Sequence, residues 1–371
     1  MKANWNYPTS IRFGPGRLAE LPDACRELGI ARPLLVTDPG LAELPPVQRA
    51  LEAQPAGLYT GVKPNPVGAN VTGGVEAYRA GGHDGVIAIG GGSALDAGKA
   101  IALMVGQTRP LFDFEDREDW WTRVNPEGVA GVVAIPTTAG TGSEVGRASV
   151  ITDESVGLKK IIFHPRMLPG RVILDPELTL ALPPKVTAYT GMDALAHSLE
   201  ALCSPLYHPL AEGVALEAIR LVHSALPVVY REPSNLQARG QMLTAAMMGA
   251  AAFQKGLGAI HSLSHPVGGR YDLHHGLLNA IFMPYVLRFN RPAVEERIDR
   301  LAAYLGLSGF DGFYAWILEL RARLEIPDRL QLENADLDEL ARLALDDPST
   351  PTNPVPLTLA DLKGLLQEAL C

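Results

Sequence analysis

Cysteine is scarce in this chain: Cys25, Cys203 and Cys371 are the only three in 371 residues, far apart and without a CxxC pair. That spacing excludes a disulfide framework and a thiolate zinc site, and it fits a reducing cytoplasm. A basic window is also missing: 32 Lys and Arg against 41 Asp and Glu leave a net charge of −9, so no nucleic acid or other polyanion partner is expected. No uncharged apolar run reaches membrane-spanning length, and Met1-Lys-Ala-Asn-Trp-Asn-Tyr7 has no apolar signal core, so a soluble intracellular protein with no membrane partner is expected. Low-complexity tracts and internal repeats are absent as well. What remains is ordinary globular composition, 47% apolar and 20% charged, in a chain long enough for two domains with separate cores.

The first half alternates short apolar runs with helical patterns. Pro33 to Asp38, Gly85 to Ile89, Gly131 to Ile135 and Arg171 to Asp175 are continuous Val/Ile/Leu segments, as expected of parallel strands covered on both faces by helices. Ser149 to Phe163 reads as a hairpin turning through Asp153 to Gly157. After Leu182-Pro-Pro-Lys185 only helical periodicity remains, as in Leu210 to Val222, Gln237 to Ala252, Ala293 to Leu305 and Thr358 to Leu370. The expected architecture is an α/β, Rossmann-like nucleotide-binding domain over residues 1–180 followed by an all-α domain over 181–371. Trp120 and Trp121 fall in a loop between strands, where they either lid a site or anchor the loop.

Chemistry concentrates in the helical half. Asp193 and His197 stand at i, i+4 in Gly191-Met-Asp-Ala-Leu-Ala-His197 and share a helix face. His261 and His265 repeat that offset, and His274-His275-Gly276 follows a Gly268-Gly269 pair that offers a break in the chain. Three imidazoles and a carboxylate, from His197, His261, His275 and Asp193, suit Fe(II) or Zn(II) and are too nitrogen-rich for magnesium or calcium. The bland reading differs between the two windows. Met192, Leu195, Leu199 and Leu202 would form the core face of the first helix and leave Asp193 and His197 as an ordinary solvated pair. His261 lies among Ala, Met and Leu residues, where a buried ring must find partners for both nitrogens.

Two loops in the first half suit phosphates. Gly90-Gly-Gly-Ser-Ala-Leu-Asp-Ala-Gly-Lys99 follows a buried strand and opens a helix, so bare backbone N–H groups and the helix N-terminus favour an anion. It is not the G-x-G-x-x-G fingerprint, and a plain strand–helix turn is its alternative. Pro136-Thr-Thr-Ala-Gly-Thr-Gly-Ser-Glu144 also follows a strand; its alternative is a helix start capped by Thr141 or Ser143. Asp38, at a strand end, suits a ribose 2′-hydroxyl and repels a 2′-phosphate, favouring NAD over NADP.

These stretches, together with Gly258-Ala-Ile-His-Ser-Leu-Ser-His265, His275-Gly-x-x-Asn279 and Thr350-Pro-Thr-Asn-Pro354, resemble the iron-containing (group III) alcohol dehydrogenases over nearly the whole chain. The resemblance implies a nucleotide-binding α/β domain, a helical domain, a metal and hydride site in the cleft between them, and a homodimer. It matches Asp193, His197, His261 and His275 to metal ligands, His265 to an active-site histidine beside them, and Gly91, Gly92, Ser93, Thr137, Thr138 and Thr141 to cofactor contacts. In the implied reaction the metal, Fe2+ or Zn2+, acidifies a primary alcohol, hydride passes to nicotinamide, and His265 relays the proton.

For substrate, Phe253-Gln-Lys-Gly-Leu-Gly and His261-Ser-Leu-Ser-His-Pro resemble the 4-hydroxybutyrate dehydrogenase-like branch. Lys255 and Arg270, near Phe253 and the histidine windows, are expected to hold the carboxylate of an ω-hydroxy acid or its semialdehyde; solvent-exposed ion pairs are their alternative. Arg147 is a third cation after the Thr-rich loop. Two other classes stand beside this reading: an NAD- and metal-dependent lyase like dehydroquinate synthase, and a non-catalytic metal-binding protein.

Overall fold

The computed structural model describes residues 8–370; Met1 to Tyr7, the stretch without an apolar signal core, and Cys371 lie outside the described residues. The chain divides between Ala181 and Leu182 into two compact units.

The strands of the N-terminal unit are β1 (Ser10–Phe13), β2 (Pro33–Val36), β3 (Gly57–Tyr59), β4 (Gly85–Gly90), β5 (Gly131–Pro136), β6 (Ala148–Asp153), β7 (Leu158–Phe163) and β8 (Arg171–Leu174). Between them come α1 (Leu21–Glu27), α2 (Pro39–Ala42), α3 (Pro45–Ala53), α4 (Gly68–Ala80) and α5 (Gly92–Met104). Six strands pair in parallel in the order β1-β8-β5-β4-β2-β3. Every residue of β2 and β4 is buried, which is why their sequences run apolar without alternation. Leu35, Ile87, Ile89, Val133, Ile135 and Ile173 meet Leu18, Leu21 and Val47 in one core. β1 and β3 escape a sequence reading because they are short edge strands, Ser-Ile-Arg-Phe and Gly-Leu-Tyr, with no apolar run. β6 and β7 form a separate antiparallel hairpin in the expected register, Ala148 opposite Phe163 and Asp153 opposite Leu158.

From β2 the chain runs outward to β3 and then returns to the other side of β2 for β4. Strand order reverses there, and beyond the strand C-termini at such a reversal an open α/β sheet receives ligands. Asp38 lies just past β2 and Gly91 just past β4, so both border that position.

The C-terminal unit contains α6 (Pro184–Cys203), α7 (Pro209–Arg231), α8 (Leu236–Ala252), α9 (Ala259–Tyr271), α10 (His275–Leu305), α11 (Gly309–Arg323), α12 (Leu337–Leu345) and α13 (Leu359–Leu370), with no strand among the described residues. α6 is central, packed by α7, α8 and α10. From Thr190 to Cys203 all its residues are buried, so the solvated-pair reading of Asp193 and His197 fails: this helix has no solvent face there. α7 has the length and apolarity of a membrane span, yet Ala211, Ala215, Ala218, Ile219, Val222 and Leu226 are buried as in a core helix. The Gly268-Gly269 pair does not break the chain. α9 continues through it to Tyr271, and the turn comes at Asp272, which takes the left-handed conformation at φ 50°.

Candidate functional site

The titratable cluster of the C-terminal unit is assembled from α6, α9 and α10. One ligand-capable atom each of Asp193, His261 and His275 falls within 4.8 Å of the others. Backbone proximity makes this possible. Gly276 directly follows His275, and a Cβ on it would overlap the Tyr189 carbonyl of α6, so only glycine lets α10 start this close to Asp193. His197, one turn after Asp193, places Nε2 3.8 Å from Asp193 Oδ1 and stacks on the His261 ring with centroids 4.7 Å apart.

The donors point at one spot. Asn279 Nδ2 donates to Asp193 Oδ1 at 2.8 Å and also lies 3.2 Å from His261 Nε2 and 3.1 Å from His275 Nε2. Two amide hydrogens cannot serve three acceptors, and His197 Nδ1 is buried without a hydrogen-bond partner among the described residues. The cluster is therefore rich in unspent lone pairs, the condition a divalent cation relieves. Neutral imidazole is favoured too: burial, reinforced by His197 and His265, drives the His261 pKa well below its ordinary value.

Glu200, three residues after His197 on α6, orients His261. Its Oε2 lies 2.6 Å from His261 Nδ1, and its Oε1 accepts from Ile260 N at 2.6 Å. With the proton of this contact on Nδ1, Nε2 is left as the free ligand atom, the usual carboxylate–histidine support of a metal site. A Cβ on Gly258 would lie 3.1 Å from Glu200 Oε1 and 2.8 Å from Asn353 Oδ1, so that glycine clears the approach. Burial pushes the Glu200 pKa up to about 8, and a cation held at His261 Nε2 would oppose that rise by favouring the carboxylate with the proton on Nδ1.

His265 does not belong to the converging set. Its ring stacks on His275 at 5.3 Å, and its Nδ1 is 2.8 Å from Oδ2 of Asp347, a carboxylate that follows α12. Asp347 is in turn held by Ser349 N at Oδ1, 2.8 Å away. Eighty-two residues separate His265 from Asp347, and no local pattern announced the pair.

Phe253, in a short turn after α8, rests its ring 5.1 Å from that of His197. The carboxylate clamp expected of Lys255 and Arg270 does not form. Lys255 is fully buried, with Nζ donating to Leu202 O at 3.1 Å and paired with Glu212 Oε1 at 3.0 Å, so its charge is already committed inside the unit. Arg270 leaves 64% of its side chain in solvent and sits 3.6 Å from Glu339, an exposed pair of little energetic weight. Arg147 lies over the Phe163 ring at 5.5 Å. Of the loop tryptophans, Trp120 is covered by the Arg123 guanidinium and Trp121 packs near His164, which anchors the loop to its own unit.

In the N-terminal unit the two glycine- and threonine-bearing loops lie side by side. Thr137 N donates to Gly90 O at 2.9 Å. A Cβ on Gly91 would touch Thr138 and one on Gly92 would strike Thr141. α5 begins at Gly92 with no side-chain cap; Ala94 N and Leu95 N bond back to Gly91 O, which leaves the N–H groups of Gly92 and Ser93 ahead of the helix. Thr141 and Ser143 do not cap a helix: the loop enters a short turn through Gly142 at φ 61°. Asp38 accepts from Leu41 N through Oδ1 at 2.9 Å, and its Oδ2 is turned toward Gly90.

A parallel sheet bearing a phosphate-type turn in the N-terminal unit, and a cation-hungry Asp/His cluster on buried helices in the C-terminal unit, are together the equipment of a metal- and nucleotide-using oxidoreductase. The family models for "Iron-containing alcohol dehydrogenase" and "Fe-containing alcohol dehydrogenase family, C-terminal" match residues 8–176 and 187–370, and the chain belongs to this family. That membership sets aside the lyase and non-catalytic readings. The chain is 38% identical to a 4-hydroxybutyrate dehydrogenase of Cupriavidus necator, across 98% of this chain and 99% of the relative. Among solved structures it is similar to a 1,3-propanediol oxidoreductase, at TM-score 0.95 and 33% identity over 100% of both chains. It is also similar to a sulfoacetaldehyde reductase from Bifidobacterium kashiwanohense in complex with NAD+, at TM-score 0.91 and 30% identity over 99% and 98% of the two chains.

Proposed function

We propose that the protein interconverts a short primary alcohol and its aldehyde with NAD, using iron(II) held by Asp193, His197, His261 and His275. The observation that carries this is the convergence of the Asp193, His261 and His275 donor atoms around a spot that one amide nitrogen serves incompletely. When bound, iron(II) supplies a Lewis acid that acidifies the alcohol, and NAD supplies the hydride acceptor. The residues do the rest. Glu200 holds His261 in the tautomer that leaves Nε2 free, and Gly276 keeps His275 against α6. Asp347 fixes His265 through Nδ1, so Nε2 is the atom that takes the alcohol proton and passes it to solvent. Gly91, Gly92, Ser93, Thr137, Thr138 and Thr141 cradle the pyrophosphate, and Asp38 faces the adenosine ribose, preferring NAD.

The substrate class comes from the relatives. 4-Hydroxybutyrate, 1,3-propanediol and sulfoacetaldehyde are short and carry a second polar end, and we assign the same class here, with an ω-hydroxy acid first. Recognition of that end does not use Lys255, whose charge is spent on Glu212; we assign Phe253, with its ring 5.1 Å from that of His197, to the wall of the substrate site. This reading includes a cytoplasmic setting, supported by Cys25 and Cys203 standing as free buried thiols, and a homodimer, tested by sedimentation. The deciding assay is anaerobic: metal-free protein reloaded with iron(II), NAD, and 4-hydroxybutyrate, 1,3-propanediol or 1-butanol, read as NADH absorbance. NADH should form fastest with the two bifunctional substrates and vanish on chelation. Equal rates with 1-butanol would remove the polar-end preference, and no NADH from any alcohol would remove the dehydrogenase reading.

A further inference from the structure

The motif Gly90-Gly-Gly-Ser-Ala-Leu-Asp-Ala-Gly-Lys99 ends in two charged residues that the proposed chemistry leaves unused. By analogy with other glycine-rich phosphate loops, Lys99 would be expected to reach a phosphate. The structure turns it elsewhere. Lys99 is 1% exposed, and its Nζ donates to Ser143 O at 2.9 Å and to Ala148 O, while lying 3.3 Å from Asp96 Oδ1. Asp96 accepts from Ser143 Oγ at 2.5 Å and from Val150 N at 3.0 Å. All of Nζ's hydrogens thus have partners inside the unit.

Gly92, Asp96 and Lys99 are spaced i, i+4, i+7 and occupy one face of α5. Along that face the Thr-rich loop is attached at successive levels: Thr141 against Gly92, Ser143 on Asp96, and the backbone of Ser143 and Ala148 on Lys99. We propose that Asp96 and Lys99 are positioning residues: an ionic lace, anchored on the buried Lys99, that sets residues 137–146 and the start of β6 at a fixed distance from the α5 N-terminus, so that both loops close on one pyrophosphate. Lys99 itself makes no phosphate contact. The inference rests on the NAD reading of these loops and gives a role to Asp96 and Lys99, about one and two turns into α5.

The test compares wild type, Lys99→Met, Asp96→Asn and the milder Ser143→Ala, each checked for fold by circular dichroism and for metal content. NADH affinity is measured by fluorescence, and backbone protection by hydrogen exchange. Removing charge-assisted bonds from the lace should weaken NADH binding by about tenfold or more in Lys99→Met and Asp96→Asn, and by a few-fold in Ser143→Ala. KM for NAD should rise by more than kcat falls, and exchange protection should be lost over 137–150 before NADH is added. A Ser143→Ala protein with wild-type affinity and wild-type protection would overturn the lace, and covers the case in which the charge variants do not fold. Weakened NADH binding with protection intact would also overturn it, because Lys99 would then act on the phosphates directly. If wild type binds no NADH, the NAD reading fails instead, while loss of loop protection in the variants still reports on the lace.

Discussion

Replacing Glu200 by Gln should cost metal affinity while preserving shape. In the wild type, Oε1 accepts from Ile260 N and Oε2 meets His261 Nδ1, both at 2.6 Å. Gln keeps the first contact with its carbonyl and then presents an NH2 group to Nδ1. Two donors cannot face each other, so His261 must move its proton to Nε2, the atom turned toward Asp193. A metal can bind only after that proton leaves and the buried donor clash is restored. The loss is one charge-assisted buried hydrogen bond, about 1.5–3 kcal/mol, or roughly a 10- to 100-fold weaker dissociation constant. The assay is a chelator competition: metal-free wild type and Glu200→Gln titrated with Co(II) or Zn(II) against an indicator, with circular dichroism as the folding control. Affinities within about twofold of each other would refute the tautomer argument, since the orienting carboxylate would then have no influence on His261.

Other perturbations separate the parts of the site. Asp38→Gly removes the carboxylate at the end of β2 and should raise kcat/KM for NADP relative to NAD by about tenfold or more, checked with both cofactors; an unchanged ratio would place the ribose elsewhere. His265→Ala and Asp347→Asn should each lower kcat by about 10²-fold with metal content preserved, by elemental analysis; loss of metal in either would make His265 a ligand. Gly276→Ala drives a methyl into the Tyr189 carbonyl and should destabilise the helical unit by about 1–3 kcal/mol and release metal, measured by thermal melts with and without Zn(II). Burial raises the Glu144 pKa from 4.5 to about 7, so the folded state favours the neutral acid. Its contribution is fully present below about pH 4.5 and lost as pH rises through about 7, so Glu144→Gln should melt increasingly above wild type across that window.

Much of this was legible in the sequence where burial leaves a one-dimensional trace. The four interior strands called from apolar runs are β2, β4, β5 and β8, and the hairpin called from its turn residues is β6–β7. Edge strands β1 and β3 left no such trace. Within the candidate site, residues at short helical offsets were visible: Asp193 with His197, and His261 with His265. Glu200 and Asp347 were not, because their contacts to His261 and His265 cross 61 and 82 residues. Lys255 misled for the opposite reason. A lysine beside a histidine window looks like an anion site until its depth and its partner Glu212 are known. Local spacing tells which side chains share a face, and only packing tells which way that face looks.

The continuous burial of α6 has a consequence in time. Asp193, His197 and Glu200 lie in a stretch from Thr190 to Cys203 that has no exposed residue, with α7, α8 and α10 packed on it. Such a helix does not open by fraying; exposing its middle means separating its neighbours, an event near global unfolding in free energy. The α6 donors therefore hold their places when the site empties, and a cation comes and goes on the side of His275, whose side chain is 25% exposed, so the emptied site needs no refolding to bind again.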